Sequence, residues 1–396
     1  MSLRHGRPYL AIPGPSVLPD QVLQAMQCPA PDIYGPGMPR LVQGIVDDLR
    51  AVARTTQNVA LYIANGHGAW EAALANTCCR GDKVLVLATG AFGHGWAGRA
   101  QAMGLEARVM DFGKRAGAEA DRVAERLRAD RTHEIRAVLA VQTDTASSAR
   151  TDIAALRAAL DAAGHPALLM VDSIAALACE RMEMDAWGVD VLLAASQKGL
   201  MTPPGLAFVF FSERAARCGG DLVSPYWDWT LRANPEEFWH YFGGTAPTHH
   251  LFALRAALDL LMEEGLTHAL DRHARLARAV WAAVGVWGEG GEMRPNIPDP
   301  AARSHAVTTL HLGAPNGTAL RDWLEINTGV TLGIGLGMAA PGDPAFHGYF
   351  RLAHMGHVNA YMVLGALGAI ETGLRALGIS HGAGALDAAA QVMAGV

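Results

Sequence analysis

At 396 residues the chain has room for one large domain and a smaller companion. With 51% hydrophobic and 18% charged residues it reads as a well-cored globular protein and not as a disordered one. A net charge of −6 offers no electrostatic footing for nucleic acid. The most apolar late stretch is interrupted by Glu371 and Arg375, so no membrane span is expected.

The opening "MSLRHGRPYLAIPGPSVLP" has no apolar run before its prolines and does not read as a secretory signal. Seven apolar, β-branched runs follow, at 59–64, 83–89, 106–112, 137–143, 167–173, 190–196 and 207–212. Most have no wet face, as expected of strands covered on both sides. Helical segments separate them; in "DIAALRAALDAAGH" Asp152 is placed to cap and Gly164 to stop the helix. This alternation predicts a mostly parallel sheet with helices on both faces, its last two strands close enough for an antiparallel hairpin. From about 255 the texture changes to one long helix over 251–284, shorter mixed segments and another helix near 358–377. Five cysteines, with no metal spacing, read as reduced thiols of a cytoplasmic protein. His249 and His250 are adjacent with no third ligand in view, so packing is the better reading than metal, and no metal site is expected.

The chain has only three lysines, Lys83, Lys114 and Lys198; every other basic residue is arginine. Lys83 and Lys114 each stand in a glycine-containing turn, as surface lysines do. Lys198 stands instead between two apolar runs, in "LLAASQKGLMTPPGLAFVFF". In an open α/β sheet, ligands sit beyond the carboxyl ends of the strands. Lys198 is there, with Asp172 at the end of "LLMVDS" and the turn "NGHG" (65–68) after "ALYIA". Alone, the turn could be ordinary and Asp172 a cap. Together, an amine, a carboxylate and a glycine turn opening a helix match what pyridoxal phosphate needs: a Schiff-base partner, a partner for the pyridine nitrogen and a phosphate cradle.

These segments carry a resemblance. "DVLLAASQKGLMTPPGLAFVFFS", "VDS" and "GHGAWEAALANT" look like the class V, fold-type I aminotransferases that use pyridoxal phosphate, most closely the serine–glyoxylate and alanine–glyoxylate subgroup. The resemblance runs from "IPGPSVLP" to "FRLAHMGHVN". It implies a large domain built on a mostly parallel seven-stranded sheet and a smaller C-terminal α+β domain. The corresponding division is 1–20 as an N-terminal arm, 21–255 as the cofactor-binding domain and 256–396 as the small domain. It also implies transamination between a small amino acid, serine or alanine, and glyoxylate or pyruvate by a ping-pong route.

By the same resemblance Lys198 is the Schiff-base lysine and proton shuttle, and Asp172 partners the pyridine nitrogen. Asn65, Gly66 and His67 sit at the phosphate end, with Gln197 beside them. Phe92 in "TGAFGHGW" stacks on the cofactor, with a core phenylalanine as the competing reading. Thr145 in "QTDTASSA" approaches the phenolic oxygen, with a capping threonine as the competing reading. Arg351 in "YFRLAHMG" binds the substrate carboxylate, and Gly14 and Tyr34 border the substrate. Thr245 in "YFGGTAPTHH" reaches the phosphate of a partner subunit, which implies a homodimer with shared sites, or a tetramer of such dimers.

The chain also departs from the family. Ile33 and Tyr34 stand where a His-Arg pair is usual, Gln142 and Asp144 where histidine and glutamate are usual, and Ser148 where glycine is usual. Phe242 stands in place of an interface tyrosine, with Tyr241 adjacent, and "GMAAPGDPAFHGYF" is longer than usual. These departures lie near the substrate and leave an unusual donor open, including pyridoxamine–pyruvate exchange. A lyase such as a cysteine desulfurase is disfavoured, since that chemistry takes a late cysteine and all five precede residue 219.

Overall fold

The computed structural model of the protein describes residues 3–340 and 342–395. The chain enters through β1 (Tyr9–Ala11) and then lays down β2 (Asn58–Ala64), β3 (Lys83–Ala88), β4 (Glu106–Asp111), β5 (Ile135–Val141), β6 (Leu168–Asp172), β7 (Val191–Ala195) and β8 (Gly205–Phe211). Strands β2 to β8 form one seven-stranded sheet in the order β2-β8-β7-β6-β5-β3-β4. Pairings from β4 across to β7 are parallel, and β8 runs antiparallel to both its neighbours. The expected mostly parallel sheet and the terminal β7–β8 hairpin are both present.

Strands β6 and β7 are buried at every position, because helices cover both faces. Two apolar clusters fill the layers above and below, one including Leu169, Leu192 and Phe208, the other Met170, Leu193 and Val209. Neighbouring residues of one strand therefore face opposite cores. The edge strand β4 is largely exposed, and Glu106 and Arg108 make it a charged edge. Asp152 caps the helix Ile153–Ala162 by accepting the Ala155 N–H at 3.0 Å, and Gly164 follows its end at φ +61°.

The second sheet contains β9 (Arg294–Pro295), β10 (Val307–His311), β11 (Val330–Ile334) and β12 (Tyr349–Ala353), in the order β1-β11-β12-β10-β9. The N-terminal strand thus pairs, in parallel, with a strand from the far end of the chain. This arrangement brings Pro13–Ser16, just after β1, back over the large sheet. Among the described residues no helix is long and apolar enough to cross a membrane.

The helix expected over 251–284 is two helices, Thr248–Glu264 and Leu266–Glu289, divided at Gly265. The apolar spacing continues through the break, so periodicity alone conceals it. Gly265 has φ +85° and ψ 130°, a conformation that residues with a Cβ rarely adopt. The first helix packs its Leu251, Leu254, Leu258 and Leu261 into the large-sheet core, and the second sends Leu276, Val280, Val284 and Trp287 into the core of the small domain. Residue 255, where the texture changes, lies inside the first. Gly265→Ala should lower unfolding stability by about 1–3 kcal/mol in urea denaturation; an unchanged midpoint would show that this junction relaxes freely.

Candidate active site

The carboxyl ends of β2, β3, β5, β6 and β7 open on one crevice, beside the place where the strand order reverses between β3 and β5. A cavity of about 210 Å³ fills it, lined by Asn65, Gly66, His67, Trp70, Phe92, Thr143, Thr145, Asp172, Ile174, Ala175, Gln197 and Lys198. Eight of the positions singled out in the sequence therefore meet in one space.

Asp172 is the last residue of β6 and is 3% exposed. Its Oδ1 accepts the Ile174 N–H at 2.8 Å and its Oδ2 accepts the Trp70 Nε1–H at 2.9 Å. Burial raises its pKa to about 6, against the opposing effect of those two donors; the nearby charge of Asp144 raises it further and Lys198 lowers it. Lys198 follows β7 in a turn. It keeps some surface toward the cavity, but its amine is enclosed and donates to the Pro13 carbonyl. Burial, helped by the positive charge of Arg351, lowers its pKa to about 8 against the pull of Asp172. The N-terminal segment clamps this turn: Ser16 Oγ donates to the Lys198 carbonyl at 2.8 Å, and Ser16 N donates to the Gln197 carbonyl at 3.0 Å. Gly14 has φ +105°, and a Cβ there would run into the Lys198 side chain, 2.8 Å from its Cδ. Glycine is required at 14 so that the chain can lie on the lysine.

At the other end, Asn65 caps the helix Gly66–Thr77, its Oδ1 accepting the N–H groups of His67 at 3.1 Å and Gly68 at 3.4 Å. Gly66 lies against Ile174 with no room for a Cβ. Phe92 is held by its backbone, since Asp144 Oδ2 accepts its N–H at 2.8 Å and that of Gly93 at 3.3 Å. Asp144 Oδ1 accepts Ala146 N at 3.0 Å and Ser147 N at 3.4 Å, so one carboxylate ties the wall carrying Phe92 to the loop carrying Thr145. Gln142 lies behind this wall, bonding Ser173 and the Arg181 carbonyl. Ser148 sits at φ +62°, where glycine is favoured, and its Oγ accepts the Thr309 N–H at 3.1 Å.

Arg351, on β12, reaches the same wall from the small domain. Its Nε donates to the Ile334 carbonyl at 2.7 Å and its Nη1 to the Thr145 carbonyl at 2.9 Å. It is 7% exposed, and burial lowers its pKa to about 10, opposed by Asp144. The long loop before it presses Gly337 against Ala91 and Ala146; Pro341, within that loop, lies outside the described residues.

Tyr34 and Thr245 are not in this cavity. They line a separate one of about 460 Å³ with Ile33, Phe238 and Trp239, and Tyr34 is 86% exposed. Phe242 is buried in the core, and the Tyr241 hydroxyl faces Gln43 at 3.5 Å. His249 bonds the Cys28 carbonyl at 3.0 Å, and His250 packs on Gly205. Trp70, Thr143, Ile174 and Ala175 line the main cavity without having been singled out in the sequence. Trp70 had a signal: it stands one helical turn after Gly66, the only aromatic of an alanine-rich helix, so it shares the face of the glycine that meets the cavity.

The set fits pyridoxal phosphate. Gln197 Oε1, beside Lys198, is buried without a hydrogen-bond partner among the described residues. A neutral-prone amine, a buried carboxylate and a helix N-terminus stand around one space. Residues 8–342 match the family described as aminotransferase class-V. The chain is 36% identical to a serine–glyoxylate aminotransferase of Methylorubrum extorquens, covering 94% of this chain and 92% of the relative. It is 35% identical to an L-aspartate–glyoxylate aminotransferase of Paracoccus denitrificans, covering 96% and 94%. Its fold is similar to the crystal structure of pyridoxamine-pyruvate aminotransferase from Mesorhizobium loti, with a TM-score of 0.88, 24% identity and coverage of 99% and 98%.

The lowered pKa of Lys198 has a kinetic signature. The rate at which cofactor-free protein takes up pyridoxal phosphate should rise with pH and level off above about 8. A rate still climbing at pH 10 would assign the amine an ordinary lysine environment.

Proposed function

This chain belongs to the class-V aminotransferase family, with pyridoxal phosphate as its cofactor, and from that premise we propose that it moves the amino group of a small amino acid, serine or alanine, to glyoxylate or pyruvate. The observation that carries the reading is the single cavity in which Lys198, Asp172 and the arginine-braced Thr145 wall meet. The curated relatives that act on glyoxylate support the acceptor, and the L-aspartate enzyme among them adds aspartate to the donors worth testing.

Bound here, pyridoxal phosphate supplies an aldehyde for amines and a pyridine ring that draws electron density from the carbon bearing the amino group. The protein's residues do the rest. The helix N-terminus at Gly66–His67, with Asn65 and Gln197, holds the phosphate end. Phe92 would hold the ring from the cavity wall, and Asp172 would hold a proton at the pyridine nitrogen. Lys198 Nζ takes the proton from the substrate's α carbon and later returns one; a base with pKa about 8 is neutral often enough near neutral pH to accept it. Arg351 orients the substrate carboxylate, with Gly14 bordering it, and Thr145 stands on the cofactor's side of the wall. Its Nη2 carries no hydrogen bond among the described residues, and the bonds from Nε and Nη1 hold the guanidinium plane in place.

Thr245 and Tyr34 belong in this reading to the site of a second copy. The cavity they line is rimmed by exposed aromatic surface, Tyr34 and Trp239, of the kind a subunit interface covers. The protein is then a homodimer with each cofactor held by both subunits. Its five cysteines form no disulfide, which fits the reducing cytoplasm.

Half-reactions with serine, alanine, aspartate and pyridoxamine, each followed by bleaching of the bound cofactor's visible band, test the donor. Serine or alanine should be the faster donors; bleaching by pyridoxamine alone would overturn the amino-acid reading. Lys198→Ala should lose turnover by about 10²–10⁴-fold or more. Arg351→Lys should raise KM for amino acids about 10- to 100-fold through loss of the forked bond. Light scattering should return twice the 41.8 kDa chain mass; a fully active monomer would remove the shared-site assignment.

A further inference from the structure

Asp172 has both oxygens engaged by protein donors, and the two bonds differ in kind. The Ile174 N–H lies two residues on, in the same turn, and is within reach of an aspartate's own local geometry. The Trp70 indole comes from a helix 102 positions away in sequence. Its direction is set by its neighbours. The ring stacks on Trp96 with centroids 5.9 Å apart and planes 12° apart, and it meets His67 edge-on at 4.6 Å and Phe92 edge-on at 6.4 Å. Trp70 is 1% exposed. It therefore touches the acid, the aromatic wall and the phosphate end together.

An indole N–H donates and never accepts. With Ile174 N on Oδ1 and Trp70 on Oδ2, both carboxyl oxygens accept from an N–H, and such donors favour the charged form; each oxygen keeps a second lone pair, which leaves room to meet the pyridine N–H. Burial and Asp144 work the other way, toward the neutral acid. We propose that Trp70 is a positioning residue of the transamination: its indole N–H holds Asp172 as a carboxylate facing the pyridine nitrogen and keeps it from relaxing into a neutral acid. This rests on the reading of pyridoxal phosphate as the cofactor. The charged or titratable groups around the pair are Lys198 after β7, Asp144 after β5, His67 on the helix of Trp70 and Arg351 on β12; none of them supplies a bond to Asp172 that could replace the indole's.

The test compares holoenzyme variants at position 70. Trp70→Phe removes the donor, and replacement by 3-benzothienylalanine, which has the shape of tryptophan with sulfur in place of N–H, removes it without altering the packing. Both should release pyridoxal phosphate about tenfold faster or more, the size expected for one hydrogen bond to a charged group. In both, the pH midpoint of the bound cofactor's visible band should move up, because a ring that has lost its positive charge gives up its other protons less readily. In an Asp172→Asn background the same replacements should change release by less than about twofold. Retention and midpoint unchanged in the benzothienyl variant would overturn the proposal, as would an effect that persists in full beside Asp172→Asn, since Trp70 would then act by packing alone. A wild-type protein that takes up no pyridoxal phosphate would instead overturn the cofactor reading on which the proposal stands.

Discussion

An amine and a carboxylate are held in one enclosed space at the ends of two adjacent parallel strands, and burial acts on both in the same sense. It lowers Lys198 toward the neutral amine and raises Asp172 toward the neutral acid. In the proposed transamination the two serve the chemistry only if their outcomes differ: the lysine must be able to lose its charge and the aspartate must keep its own. The surroundings separate them. Asp172 receives two N–H donors, whereas Lys198 is given a single carbonyl, that of Pro13, and lies near the positive charge of Arg351. The local partners, more than the shared strand ends, therefore set the two groups apart, as the proposed roles of base and counter-ion require.

Those partners come from distant parts of the chain, which explains the arrangement of the two sheets. Strand β1 pairs with β11 of the small domain, and the segment after it lies on the Lys198 turn. The loop after β5 is stitched to the small domain residue by residue. Arg351 donates to the Thr145 carbonyl, Thr309 Oγ1 to the Ala146 carbonyl at 2.8 Å, Asn296 Nδ2 to the Ser147 carbonyl at 2.9 Å and Ser304 N to the Ser148 carbonyl at 3.2 Å. Glu180 adds a further link, its Oε1 accepting from Thr143, Ser304 and His305. The cavity wall carrying Thr145 is thus built by both domains, and Arg351, proposed to meet the substrate carboxylate, also braces that wall. Such a site is pre-organised, with little left to order when substrate arrives.

The legible parts of the site were those that break a local rule. Lys198 stands out because a lysine between apolar runs is unusual and the chain has only two others, both half-buried and outside the cavity: Lys83 pairs with Glu134 at 2.6 Å and Lys114 donates to the Met338 carbonyl at 3.1 Å. The inner strands were legible because full burial leaves continuous apolar runs, while the edge strand β4 is largely exposed. The break at Gly265 was hidden, since apolar periodicity runs through it and only the backbone angle reveals it. Arg351 was one arginine among many until β12 set it against the Thr145 carbonyl, and its place before then rested on resemblance. The bond from Trp70 to Asp172 has no local signature, because sequence spacing carries no information on a contact 102 positions apart.

The most direct measurement is to incubate the protein with pyridoxal phosphate, reduce with borohydride and locate the modified residue by peptide mass spectrometry. The three lysines give three possible answers. The phosphopyridoxyl group is expected on Lys198, with Lys83 and Lys114 unmodified at equimolar cofactor. Label on either of those two in preference to Lys198, or no label at all, would contradict that expectation.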